Sequence, residues 1–162
     1  MKNYPNLTFV LFFVFSTLAL KLSAQDPATP VPEPDFGDYT SQTLTTKAWD
    51  ALGAKNYPHV IAYTGKCIEL YTQEAIKMQT GLTAPASADT ASSYWALNDV
   101  GACYYIRAMA YQGMGKPEKA KVDFNKLLKQ FSYAQVWDNN GWFWKPADAA
   151  KQQLKVLEFE LL

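Results

Sequence analysis

The chain has 162 residues, 49% of them hydrophobic and 15% aromatic, which is ample for a packed core and too apolar for a disordered segment. A length of this order suggests one domain. The 15 basic and 15 acidic residues cancel, so no cationic excess remains to neutralise a phosphate backbone, and nucleic acid is not an expected partner.

The chain begins with Lys2, an apolar run over residues 7–20, and then Lys21, Leu22, Ser23, Ala24 and Gln25. A basic start, an apolar stretch and a small residue before a polar one predict a secretory signal peptide over 1–24, cut after Ala24. The run is shorter than the roughly 20 residues that span a bilayer. Leu22 is larger than usual three residues before the cut, so the alternative is an uncleaved anchor, the one expected contact with a membrane. Loss of Lys2 and Lys21 with the leader leaves 13 basic against 15 acidic residues, a net charge of −2. The expected location is the periplasm or the outside of the cell. Residues 25–37 follow as a proline-rich linker with Pro27, Pro30, Pro32 and Pro34, an extended and semi-rigid tether. The domain is expected over 38–162.

Ser41 reads as the cap of a first helix on which Leu44, Ala48, Ala51 and Leu52 recur at helical spacing. A turn at Lys55, Asn56 and Tyr57 precedes a second helix over about 58–79, opened by Pro58. Its buried stripe is expected to hold Val60, Ile61, Cys67, Ile68, Tyr71, Ala75 and Ile76. Small residues with Gly81 and Pro85 mark a loop over 80–92. Asp89 or Thr90 can cap a third helix over about 91–114. A fourth is expected over 117–131. A tryptophan-rich connection with Trp137, Trp142 and Trp144 leads to a last helix opened by Pro146, with Ala150, Leu154, Leu157 and Leu161 inward. No period-two segment competes with these helices, so the class is all-α.

Residues 101–131 carry Tyr104, Ala108, Tyr111, Gly115, Ala120, Phe124 and Leu127 at the spacing of two closely crossing helices. This pattern resembles one tetratricopeptide repeat (TPR) unit, with small residues at the crossing and aromatics in the wider gaps. Arg107 departs from the usual leucine and Pro117 from the usual aromatic. A weaker unit in the same register lies sixty residues upstream: Ala48 and Ala51 at the crossing, Lys55, Asn56 and Tyr57 in the turn, Val60 and Cys67 beyond. There Lys47 and Thr64 depart from the pattern. The resemblance implies a short α-solenoid of two TPR-like hairpins, about 41–79 and 91–131, closed by a cap over 132–162.

Chemistry is weakly signalled. Cys67 and Cys103 are the only cysteines, placed by the repeat register on helices that pack together. A disulfide between them would stabilise by about 3–4 kcal/mol, and two buried thiols are the alternative. His59 is the only histidine and is expected at the surface; no metal spacing, nucleophile motif or phosphate loop is present. Glu158 and Glu160 belong to a solvated face. Asp89, Thr90 and Ala91 match a short O-glycosylation pattern that a helix cap explains equally well. The expectation is no enzyme and no cofactor.

The family resemblance also implies a groove lined by the first helix of each unit. Gln42, Thr45, Trp49 and Leu52 would line it from the first unit, and Ala102, Tyr105, Met109 and Gln112 from the second. An apolar floor of this kind suits a peptide or protein partner, which makes a non-catalytic interaction scaffold the expected function. Trp137, Trp142 and Trp144 are expected to seal the open end of the solenoid. In the alternative, the exposed tryptophans of 137–144 stack on a glycan or another small ligand.

Overall fold

The computed structural model describes residues 32–159. The leader over 1–24, the linker as far as residue 31, and Glu160 and Leu161 lie outside the described residues. Five helices follow in order: α1 (Ser41–Gly53), α2 (Tyr57–Thr80), α3 (Trp95–Gly113), α4 (Pro117–Gln130) and α5 (Pro146–Phe159). The fold is mostly helical, with one small sheet. Among the described residues no helix is long and apolar enough to cross a membrane.

Helices α1 and α2 form one antiparallel hairpin and α3 and α4 a second, with α2 packed along α3 and α5 on α4 and α3. The two turns repeat bond for bond at an offset of sixty. Ala54, Lys55 and Asn56 N–H groups donate to the carbonyls of Asp50, Leu52 and Ala51 at 3.0, 2.9 and 2.8 Å. Met114, Gly115 and Lys116 donate to Ala110, Gln112 and Tyr111 at 2.9, 2.9 and 2.8 Å. The middle residue is left-handed in both, Lys55 at φ 56° and Gly115 at φ 66°. The glycine occupies this conformation without the steric cost that lysine carries.

The core is small and tightly spaced where the helices cross: Ala48, Val60, Ala108, Ala120, Phe124 and Leu127 are fully buried. Gly101 is an obligatory close approach, because a Cβ there would overlap the Ala134 side chain. On α2, Val60, Cys67 and Ala75 are buried as expected, while Ile61, Ile68, Tyr71 and Ile76 are half-buried against the core. Tyr63 and Thr64 complete that stripe. The Thr64 hydroxyl donates to the Val60 carbonyl at 2.6 Å, which lets a polar side chain sit in the core.

Several local expectations change. Thr40, not Ser41, caps α1, its hydroxyl accepting from the Thr43 N–H at 3.2 Å. Ser41 is instead buried as the first helical residue. Ala91–Tyr94 is a 3-10 turn and α3 begins only at Trp95. Thr90 precedes that turn without a side-chain capping bond, its hydroxyl donating to the Ser87 carbonyl, and Asp89 is exposed. The domain also starts earlier than residue 38. Asp35 pairs with Lys47 at 2.9 Å, Phe36 meets Tyr63 edge-on at 5.8 Å, and the Pro32 carbonyl lies 2.7 Å from His59 Nε2. His59 is therefore half-buried beneath the incoming chain, not a free surface histidine.

The largest departure is the connection after α4. Strands β1 (Val136–Asp138) and β2 (Trp142–Trp144) pair antiparallel, with Val136 opposite Trp144, Trp137 opposite Phe143 and Asp138 opposite Trp142. Asp138 closes the tip, its carboxylate accepting from the Asn140 N–H at 2.8 Å while Gly141 takes φ 99°. Three-residue strands are too short to show an alternating pattern, so periodicity missed them. The turn chemistry of Asp138, Asn139, Asn140 and Gly141 between aromatic residues was the available signal.

Candidate functional site

Helices α1 and α3 lie side by side, and the β-hairpin folds back over part of the surface between them. Trp144 packs edge-on against Trp49 and Tyr105, with ring centroids 6.4 and 5.4 Å apart, and Trp49 lies 6.3 Å from Tyr105. The apolar floor expected to receive a partner is thus covered by the chain's own hairpin at this point. Further along α3, the Gln112 amide donates to Gln153 of α5 at 3.3 Å, and its Oε1 is buried without a partner. Leu52 and Met109 are half-buried against the core.

The other end of the same surface stays open. A cleft of about 750 Å3 takes Gln42 and Thr45 from α1 and Ala102 from α3, three of the eight residues expected in the groove. Tyr71 and Trp95 contribute aromatic rings 5.7 Å apart from α2 and α3, and Trp137 and Phe143 contribute a second pair 5.0 Å apart from the hairpin. Trp95 and Trp137 remain 45% and 57% exposed, large apolar surfaces left to solvent at the cleft. Of the three tryptophans expected to seal the open end, Trp144 packs instead over the groove residues Trp49 and Tyr105. Trp144 is half-buried, whereas Trp137 and Trp142 (54% exposed) are not.

Among the described residues Asp99 is the one charged residue lining the cleft. Its position on α3 turns it towards the start of α1, where the Ser41 hydroxyl donates to Oδ2. Burial pushes the Asp99 carboxyl above its usual range, and the Ser41 hydrogen bond only partly offsets this. No cation among the described residues pairs with it. Asp99 carries no motif in the sequence. Its role comes from a contact 58 residues away along the chain, which local spacing cannot reveal.

The amides beside Asp99 are partly committed. Asn98 Nδ2 donates to the Ala91 carbonyl at 2.8 Å, and its Oδ1 accepts from the Gln135 N–H at 2.8 Å. Gln135 Nε2 donates to the Ala86 carbonyl at 2.9 Å, and the Tyr133 hydroxyl donates to the Thr83 carbonyl at 2.9 Å. These bonds strap the 80–92 connection to the segment before β1, and so hold one side of the cleft in place.

Cys67 and Cys103 are brought together as expected, but as free, buried thiols. Both lie around the Thr45 hydroxyl, at 3.8 and 3.4 Å. Burial pushes the Cys103 thiol well up, away from the thiolate form that reacts. Among the described residues no three His, Cys, Asp or Glu side chains form a group able to hold a metal ion.

Arg107, the departure from leucine in the second unit, has a matched partner. Its Nε and one terminal nitrogen donate to the two Asp123 oxygens at 2.7 and 2.8 Å, while the guanidinium lies 5.3 Å from the Tyr104 ring centre. This bidentate pair bolts α3 to α4 and stands apart from the cleft. Comparison of the chain with protein-family models, curated proteins and solved structures gives no match in any of the three.

Proposed function

We propose that the chain is a non-catalytic binding module that holds a segment of a partner protein, in the cell envelope or outside the cell. The observation that carries this reading is the open, aromatic-walled cleft at the α1–α3 surface, where Trp95 and Trp137 stay half-exposed. Half-exposed aromatic rings around a concave surface are the usual anchors of protein recognition. The repeated turn and the small residues at both crossings support kinship with TPR hairpins, in which α1 and α3 would be the groove-lining helices. The partner site then lies at Gln42, Thr45 and Ala102, shifted away from Trp49 and Tyr105 beneath the hairpin. The basic and apolar leader supports export.

A photo-crosslinking side chain at Gln42 tests this, with one at Val122, exposed on α4, as the control. The expected result is a defined cross-linked protein from Gln42 that disappears in Trp95→Ala and is absent from Val122. Equal products from both positions, or none from Gln42, would overturn the reading.

The exposure of Trp137 and Trp142 favours one second reading, glycan stacking on the hairpin. Their register places them on opposite faces of the two-stranded sheet, so the two rings do not form one flat platform. Loss of glycan retention in Trp142→Ala, with Gln42 cross-links intact, would select this second reading.

A further inference from the structure

The chemistry of the cleft narrows what it can hold. One side-chain N–H of Asn98 and one of Gln135 are spent on backbone carbonyls of the neighbouring connection. Two acceptors beside them, Asp99 Oδ1 and the Gln135 side-chain carbonyl, have no partner among the described residues. Gln42 and Ser92 add polar groups only at the exposed rim. The sole charge lining the cleft is negative, and aromatic rings come from both sides: Tyr71 and Trp95, Trp137 and Phe143. An anionic ligand would meet repulsion from Asp99. A flat cation rich in donors would meet a carboxylate and π-faces together.

We infer that the cleft seats an arginine side chain of the partner segment, its guanidinium paired with Asp99 and stacked on the aromatic rings. This inference rests on the reading of the cleft as a partner site and names the group recognised there. Aromatic faces attract a guanidinium through the ring quadrupole and through stacking, which an ammonium exploits less well. Asp99 is held by Ser41 through Oδ2, and its Oδ1 has no partner among the described residues. A cation there also relieves a carboxylate that burial disfavours.

The test is a titration of the purified chain with a capped Gly-Arg-Gly peptide, followed through tryptophan fluorescence. A capped Gly-citrulline-Gly peptide serves as the neutral isostere. The expected result is a saturable change with the arginine peptide and binding at least about tenfold weaker with citrulline, as for loss of one charge-assisted contact. Asp99→Asn, checked for folding by circular dichroism, is expected to bring the arginine peptide down to the citrulline level. Equal binding of the two peptides would overturn the inference without recourse to any variant. Equal binding of spermidine would overturn the choice of a planar side chain as the occupant. Gln42 cross-links that persist in a chain indifferent to the arginine–citrulline exchange would sink this inference and leave the partner reading standing. Asp99-dependent arginine binding without any cross-linked protein would do the reverse.

Discussion

The two helical hairpins share one turn geometry but solve the same positions with different chemistry. Sixty residues apart, Lys47 and Arg107 occupy equivalent places on the first helix of each. Lys47 reaches out to Asp35 on the incoming chain, an exposed pair, whereas Arg107 turns inward to a buried Asp123 on its own hairpin. Thr64 in the first hairpin stands where Phe124 fills the core of the second. The second hairpin is thus locked within itself by a bidentate ion pair and an aromatic core residue. The first also leans on its neighbours: the incoming segment through Phe36, and α3 through Thr45 and Ser41. A repeated backbone does not require a repeated interior, and both units offer side chains to the cleft.

The sharpest way to break this contrast is to remove the two acids. Asp123→Ala leaves the Arg107 guanidinium, only 20% exposed, without a partner and should cost about 3 kcal/mol in urea denaturation. Asp35→Ala, at the equivalent pair of the first hairpin, should leave the urea midpoint unchanged, since solvent already screens both groups. Similar losses from both would mean that the hairpins are locked alike.

Next in size is the crossing itself. Gly101 aligns with Ser41, and at Gly101 a Cβ would overlap the Ala134 side chain. Gly101→Val should destabilise by about 2 kcal/mol by overpacking against Ala134, while Ser41→Ala should fall well short of that. Thermal unfolding of the two variants decides the order.

A smaller effect concerns the turn. Lys55→Gly should stabilise by about 1 kcal/mol, because glycine takes the left-handed conformation without a Cβ clash, and Gly115→Lys should lose a similar amount. The gain and the loss are read from paired denaturation midpoints.

The smallest effect lies where the hairpins meet, at Asp99 and Ser41. A carboxyl whose folded pKa is raised contributes stability that is fully present below its unfolded pKa and lost as pH rises through the folded value. The native chain should therefore gain stability relative to Asp99→Asn as pH falls from neutral through that window. The nearby Cys103 thiol, pushed up by burial, stays neutral throughout it. A gap that widens on acidification in favour of the asparagine variant would reverse the sign.

The helices were legible because each buries a stripe that recurs at helical spacing, and because Pro58, Pro117 and Pro146 sit at helix starts. The turns were legible because the same residues recur at a fixed offset. The cleft was only half legible. Gln42, Thr45 and Ala102 were placed by the register, but Asp99, Trp95 and Trp137 join them through contacts between distant segments. The cover on Trp49 and Tyr105 arrives from Trp144, roughly forty residues beyond Tyr105, and no local pattern announces it. Arg107 looked like a defect in the pattern until Asp123 supplied its counterpart.

The packing of Trp144 has a consequence for the order of events during synthesis. Until residue 144 has left the ribosome, Trp49 and Tyr105 lack their cover, and the cleft lacks the wall that Trp137 and Phe143 provide. A nascent chain that has completed both hairpins therefore still presents a bare aromatic strip, the kind of surface that invites chaperones or self-association. A chain cut short before residue 136 would also lack α5 and remain in that unfinished state.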